Sequence, residues 1–117
     1  MYARFSSDDW KSDVYAYLSA ANNRYVTHVA ACRLVGDIPP LVGIDDPDFA
    51  ESYLRQAEAV KQAERVPIGL SCDGQTFEDD TLAGLLVRLE GLRETGYYVP
   101  ESALQEIRGE KEEKKDA

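Results

Sequence analysis

The sequence predicts an α+β fold: a β-hairpin, with room for a third short strand, packed against two main helices and a short C-terminal helix. Two segments near the N-terminus alternate with the period of a strand. A stripe of leucines between positions 82 and 92 recurs at helical spacing and stops just before a glycine. Between them, the Asp-Asp-Pro-Asp run at 45–48 has the chemistry of a helix start.

Residues 13–20 (DVYAYLSA) place Val14, Ala16 and Leu18 on one side and Tyr15 and Tyr17 on the other. Their β-branched and aromatic content suits a strand. Ala21, Asn22, Asn23 and Arg24 supply a turn, because asparagine tolerates positive φ. Residues 25–35 (YVTHVAACRLV) alternate again, with Val26, His28, Ala30, Cys32 and Leu34 on one face, so a hairpin is expected over 13–35. Residues 36–44 read as a loop, since Pro39 and Pro40 cannot join a central ladder.

A helix is then expected from Asp46 as cap, with Pro47 at its first position, to about residue 65. Its inward residues are Phe49, Tyr53, Ala57 and Val60, and Glu51 with Arg55 forms a supporting pair. Residues 66–72 read as a short edge strand, kept from the sheet centre by Pro67. After the Asp73-Gly74 turn, the acids at 78–80 and Thr81 open a second helix. Leu82, Leu85, Leu86, Leu89 and Leu92 line it, and Gly96 caps it in the left-handed region. Tyr97, Tyr98 and Val99 are extended ahead of Pro100. Residues 100–108 form the third helix, with Ala103, Leu104 and Ile107 inward. Residues 1–108 thus make one domain, and the charged segment 109–117 (GEKEEKKDA) reads as a disordered tail.

A chain of 117 residues suits a single domain. Its 22 acidic residues against 13 basic ones give a net charge of −9. That argues against direct nucleic-acid binding, which needs a positive surface, and against docking on anionic membranes. No apolar run approaches the ~20 residues that span a bilayer. The N-terminus lacks the basic start and apolar core of a signal peptide, and two cysteines make no disulfide framework, so the expected compartment is the cytoplasm.

The residues that carry chemistry are few. His28 is the only histidine, and a catalytic base needs an orienting partner and a nucleophile. On a strand it reads as a half-buried structural residue. His28 and Cys32 are four apart on that strand, about 13 Å, too far to share one ion easily. Cys72 neighbours Asp73, which opposes thiolate formation. Phosphate-loop, nucleophile-elbow and calcium-loop spacings are all missing. Asp45 with Asp46, and Asp79 with Asp80, read as helix-start acids. Neither an enzyme nor a cofactor is expected. Seven tyrosines are the more promising feature, since tyrosine supplies contact area with a polar tip. Tyr15, Tyr17, Tyr25, Tyr97 and Tyr98 are the candidate protein-interaction residues. The competing expectation is that the helix within 36–74 covers the Tyr15 and Tyr17 face. Gly84 and Gly91, seven apart, could admit another backbone. An unpaired hairpin edge also offers a route to a homodimer.

The segments Arg4-Phe5-Ser6 and Ser12-Asp13-Val14-Tyr15-Ala16-Tyr17 resemble the opening of a family of small actinobacteriophage proteins. In that family the hairpin continues into Cys-Cys-x-Cys-x-Leu, and a helix reads His-Leu-x-x-His-x-x-x-Gly before Val-Pro. The matching stretches here run from Val29 through Ala30, Ala31, Cys32 and Arg33 to Leu34, and from Arg88 and Leu89 through Leu92 to Gly96, with Val99-Pro100 following. The resemblance spans 1–35 and 75–109 and makes 36–74 an insertion carrying a helix. It implies a small zinc-finger-like unit. The family's ligand positions hold Ala30, Cys32, Arg88 and Leu92, so the resemblance implies a degenerate finger whose metal has been replaced by apolar packing. The expected function is a non-enzymatic phage accessory protein that binds a host cytoplasmic protein. Two alternatives stand beside it: an acidic DNA mimic that inhibits a nucleic-acid-binding host factor, and a divergent nucleic-acid-binding finger.

Overall fold

The computed structural model describes residues 1–36 and 38–115. Its elements are α1 (Ser7–Trp10), β1 (Val14–Leu18), β2 (Tyr25–Val29), β3 (Cys32–Val35), α2 (Phe49–Gln62), β4 (Glu64–Pro67), β5 (Thr76–Asp79), α3 (Leu82–Thr95) and α4 (Glu101–Lys115). The class is α+β, as the patterning implies. β1, β2 and β5 form one antiparallel sheet in that order, and β3 and β4 form a separate two-stranded ribbon.

The hairpin is real but shorter than its alternation suggests. β1 pairs with β2 from Val14 opposite Val29 to Leu18 opposite Tyr25. The alternation then continues past Val29, but the chain leaves the first sheet at Ala30 and Ala31 and re-pairs with β4, Cys32 opposite Pro67. Of the acids expected to open the second helix, Glu78 and Asp79 instead end β5, which pairs with β2 from His28 opposite Thr76 to Tyr25 opposite Asp79. Arginines make this strand tolerable. Arg24 bonds Glu78 at 3.1 Å and Asp80 at 2.9 Å, while Arg88 bonds Asp79 at 3.2 Å and lies 4.3 Å from the Phe77 ring centroid.

α3 follows its sequence signals closely. The Thr81 side chain accepts the Gly84 amide at 3.0 Å, and Gly96 ends the helix at φ 124°. Leu82, Leu85, Leu89 and Leu92 are buried, and Leu86 is half-buried beside them. They pack on the sheet face of Val14, Ala16, Tyr25 and Val29, and α4 adds Ala103, Leu104 and Ile107 from behind. α4 runs on through Lys115, so most of the charged segment expected to be disordered is helical; Asp116 and Ala117 of that segment, and Asp37 of the predicted loop, lie outside the described residues. The neighbouring edge of β1 is strapped by the N-terminal segment. Ala3 bridges Ala16, and the Tyr2 hydroxyl donates to Glu110 at 2.6 Å. The hairpin is flanked by Ala3 at one point of β1 and by β5 along β2, so that among the described residues β5 is an outer strand of the sheet.

α2 begins later than the Asp46-Pro47 signal implies, with Asp48 at its cap; Asp46 instead accepts the Asp48 amide in a turn at 2.8 Å. Its inward residues differ too. Gln56 is the buried one, while Tyr53 and Ala57, expected inside, are exposed. The helix rests on the 38–42 segment: Gln56 donates to the Pro39 carbonyl at 3.2 Å and to Asp9 at 3.1 Å, and Ser52 accepts the Val42 amide at 3.1 Å. With β3 and β4 it forms an arm beside the core. The radius of gyration is accordingly 15.7 Å, against about 13 Å for a compact chain of this length. Among the described residues, no helix is long and apolar enough to cross a membrane.

Candidate protein-interaction face

Strand alternation sends Val14 and Ala16 to α3 and therefore sends Tyr15 and Tyr17 to the opposite face of the sheet. Register sets His28 opposite both Tyr15 and Thr76, and Val26 opposite both Tyr17 and Glu78. Phe5 arrives from the N-terminal segment. The ring centroids of Phe5 and Tyr15 are 5.5 Å apart, of Tyr15 and Tyr17 5.7 Å, and of Tyr17 and His28 5.6 Å. All four rings are half-buried. The helix that packs on this sheet, α3, lies on the other side, and α2 stands over the 38–42 segment, so the expected cover for the tyrosines goes elsewhere. His28 sits between two hydroxyls, its Nε2 3.2 Å from Tyr17 and its Nδ1 2.8 Å from Thr76. It is a half-buried strand residue, as its context predicts, and it fixes the Tyr17 ring.

A groove of about 1170 Å³ adjoins this face and shares Phe5 with it. Trp10, Lys11, Arg33 and Tyr98 also line it. At its floor the Asp13 carboxylate, 3% exposed, takes a two-pronged contact from Arg33 at 2.7 and 3.0 Å and the Tyr98 amide at 2.6 Å. Arg33 also donates to the Gly96 carbonyl at 2.9 Å. The carboxylate raises the Arg33 pKa further above its ordinary range. Both Asp13 oxygens are engaged, so the pair acts as a pin joining β1, β3 and the end of α3. One wall of the groove is unusual backbone. Asp8, Asp9 and Trp10 all have positive φ (51°, 55° and 68°), a conformation costing roughly 1–2 kcal/mol per residue. The Tyr98 hydroxyl on Asp8, and Gln56 and the Leu41 amide on Asp9, hold the segment there.

The other tyrosine candidates divide. Tyr98 is 41% exposed at the groove, and its hydroxyl pKa is raised by the bond to Asp8. Tyr25 and Tyr97 are core residues, 5% and 2% exposed, and cannot present a surface. Tyr25 faces inward because it shares the Val29 side of β2. Tyr97 faces inward because the helix-ending turn at Gly96 aims it at the core, where its hydroxyl donates to Asp73 at 2.6 Å and accepts the Cys72 amide at 2.9 Å. Nothing in the dipeptide Tyr97-Tyr98 distinguishes them until the turn geometry is known. Sequence reading missed Phe5 and Trp10, since neither lies in a periodic element.

Ala30, Cys32, Arg88 and Leu92, the positions that the resemblance implies as former ligands, fall in two separate depressions. Cys32 and Ala30 line the groove, whereas Arg88 and Leu92 line a separate depression with Cys72. Leu92 is buried hydrocarbon and Arg88 is a cation held by Asp79, so these residues do not fit a zinc ion. Among the described residues, no three His, Cys, Asp or Glu side chains cluster as metal ligands. Gly84 leaves no opening for another backbone, because Thr81 and Asp79 of its own chain fill the space beside it, while Gly91 faces open space. No protein-family model, curated protein or solved structure matches this chain.

Proposed function

We propose that this chain is a non-enzymatic protein-binding module, an accessory protein of bacteriophage type that acts in the host cytoplasm by occluding a surface of a host protein. The observation that carries this reading is the ladder of Phe5, Tyr15, Tyr17 and His28 on the sheet face opposite α3. Rings pre-packed against one another lose little side-chain freedom on binding, and tyrosine is favoured at the energetic centre of interfaces. The net charge of −9 favours a partner with a basic surface and speeds encounter with it. Acidic mimicry of nucleic acid is the weaker alternative, because the sheet-edge acids Glu78, Asp79 and Asp80 are each bonded to an arginine. A nucleic-acid-binding finger is weaker still, given the charge.

The test is affinity capture from host lysate with the native chain and with the Tyr15→Ala/Tyr17→Ala double variant in parallel. A protein enriched by the native chain and lost with the variant supports the reading. Equal recovery by both, or no enrichment by the native chain, refutes it.

A further inference from the structure

The ribbon of β3 and β4 leaves a strand edge open at the groove. The Ile68 amide donates to the Ala31 carbonyl at 3.0 Å, which carries the register one pair beyond Cys32 opposite Pro67. Bonded and non-bonded pairs alternate along an antiparallel ladder. Arg33 with Val66, and Val35 with Glu64, are therefore the bonded pairs, and the backbone N–H and C=O groups of Cys32 and Leu34 point away from β4. Among the described residues, neither residue makes a backbone bond outside the ribbon. Both line the groove of about 1170 Å³.

The other outer margins are less suited to an added strand. On β4 the outward groups belong to Arg65 and Pro67, and proline has no N–H to give. β1 meets the N-terminal segment at Ala3. β5 ends in two acids, Glu78 and Asp79, and charge on an edge discourages pairing.

The charge of the groove selects the kind of strand. Lys11, Arg33 and Arg65 line it, against Asp9 and Asp13. Both carboxylates are already engaged, Asp13 by Arg33 and the Tyr98 amide, Asp9 by Gln56 and the Leu41 amide. Lys11 and Arg65 are exposed and make no ion pair among the described residues. By alternation, Arg65 shares a face of the ribbon with Leu34 while Arg33 lies on the other, so an added strand meets a cation on either side. An acidic chain thus gathers unpaired positive charge beside its open edge.

We propose that the free edge of β3 receives an extended, carboxylate-rich segment of another protein as a third strand, its backbone bonding Cys32 and Leu34 and its carboxylates meeting Lys11 and Arg65. The site is independent of the aromatic sheet face.

Trp10, the chain's only tryptophan, lines the groove and is 36% exposed, so its fluorescence reports occupancy. The experiment titrates the full chain with the peptide acetyl-Thr-Glu-Val-Glu-Val-Glu-Thr-amide up to about 5 mM, which covers weak specific binding. A saturable change with a Kd of about 1 mM or tighter is expected. The same peptide with lysine for glutamate is expected to bind at least about tenfold more weakly, because like charges then meet. So is the acidic peptide N-methylated at its valine and glutamate amides, which keeps the charge but cannot pair as a strand. A Lys11→Glu/Arg65→Glu double variant is expected to lose about tenfold or more for the acidic peptide with its far-ultraviolet circular dichroism unchanged, both side chains being exposed. No saturable change with the acidic peptide overturns the proposal. So does equal binding of the lysine peptide, equal binding of the methylated peptide, or undiminished binding by a folded double variant. The two peptide controls act on the unaltered protein and decide the matter even where the double variant misfolds.

Discussion

The core of sheet and helices and the arm of β3, α2 and β4 are held by different forces. In the core, Val14, Ala16, Leu85, Leu89, Leu104 and Ile107 are sealed from water, and α3 and the sheet bury their apolar sides in each other. In the arm, the one buried residue of α2 is a glutamine, tied by its amide to Asp9 and the Pro39 carbonyl. Leu54 and Ile44 there are mostly exposed, at 67% and 79%. Hydrophobic burial stabilises the first region, and a few polar contacts position the second. The core therefore carries the fold, while the arm is free to carry contacts with other molecules.

The contrast is tested most severely by truncating a leucine in each region. Leu89→Ala is expected to cost about 2–5 kcal/mol in urea unfolding, through lost burial and a residual cavity. Leu54→Ala is expected to stay within about 0.5 kcal/mol. Comparable losses at both positions would end the distinction. Next in size is the pin between the regions. Asp13→Ala leaves the Tyr98 amide without its acceptor and Arg33 without its partner, with an expected loss of about 2 kcal/mol, moderated because Arg33 is partly solvated.

Tyr97 gives the core a pH signature. Burial, then the bond to Asp73, pushes its hydroxyl up to about 12. The folded chain thus keeps a neutral phenol where the unfolded chain ionises near pH 10. That contribution is complete below about pH 10 and is lost as pH rises through about 12. The sign reverses at Asp73, whose carboxyl is held below its usual range chiefly by the Tyr97 hydroxyl. Its contribution is present above about pH 4 and is lost as pH falls toward the lower folded value. Urea midpoints across pH should show both limbs, and Tyr97→Phe should flatten both. The smallest effect expected is a gain. Thr27 is 0% exposed, and its hydroxyl has no hydrogen-bond partner among the described residues. Thr27→Val keeps its shape and removes that desolvated group, for about 1 kcal/mol of added stability by the same urea measurement.

Where the sequence was legible, local and tertiary signals agreed. α3 has a capping threonine, a leucine stripe and a terminal glycine, and all three act as their chemistry predicts. Tyr15 and Tyr17 on one side of the hairpin follow from strand period alone. The misreadings fall where two signals looked alike. Acids at 78–80 resemble a helix start, yet Arg24 and Arg88, distant in sequence or on the next helix, neutralise them as part of an edge strand. Unbroken alternation from Tyr25 to Val35 hides a change of sheet at Ala30 and Ala31, where no glycine or proline marks the break. The inward side of α2 was misjudged because a buried glutamine outweighs a tyrosine once Asp9 and Pro39 supply its hydrogen bonds. Half the candidate face was thus readable from period, while Phe5, Trp10 and the inward turn of Tyr97 depend on contacts between distant segments.

The strap across β1 bears on how the chain is made. The Tyr2 hydroxyl bonds to a carboxylate 108 residues further along, at Glu110. On a ribosome, residues 1–3 emerge well before α4, and this clasp cannot close until α4 has left the exit tunnel. Until then one margin of the nascent sheet lacks its latch, exposed to whatever strand lies nearby. A segment translated before β1 is therefore secured only after α4, and chaperone contact during translation is expected to concentrate at the β1 margin.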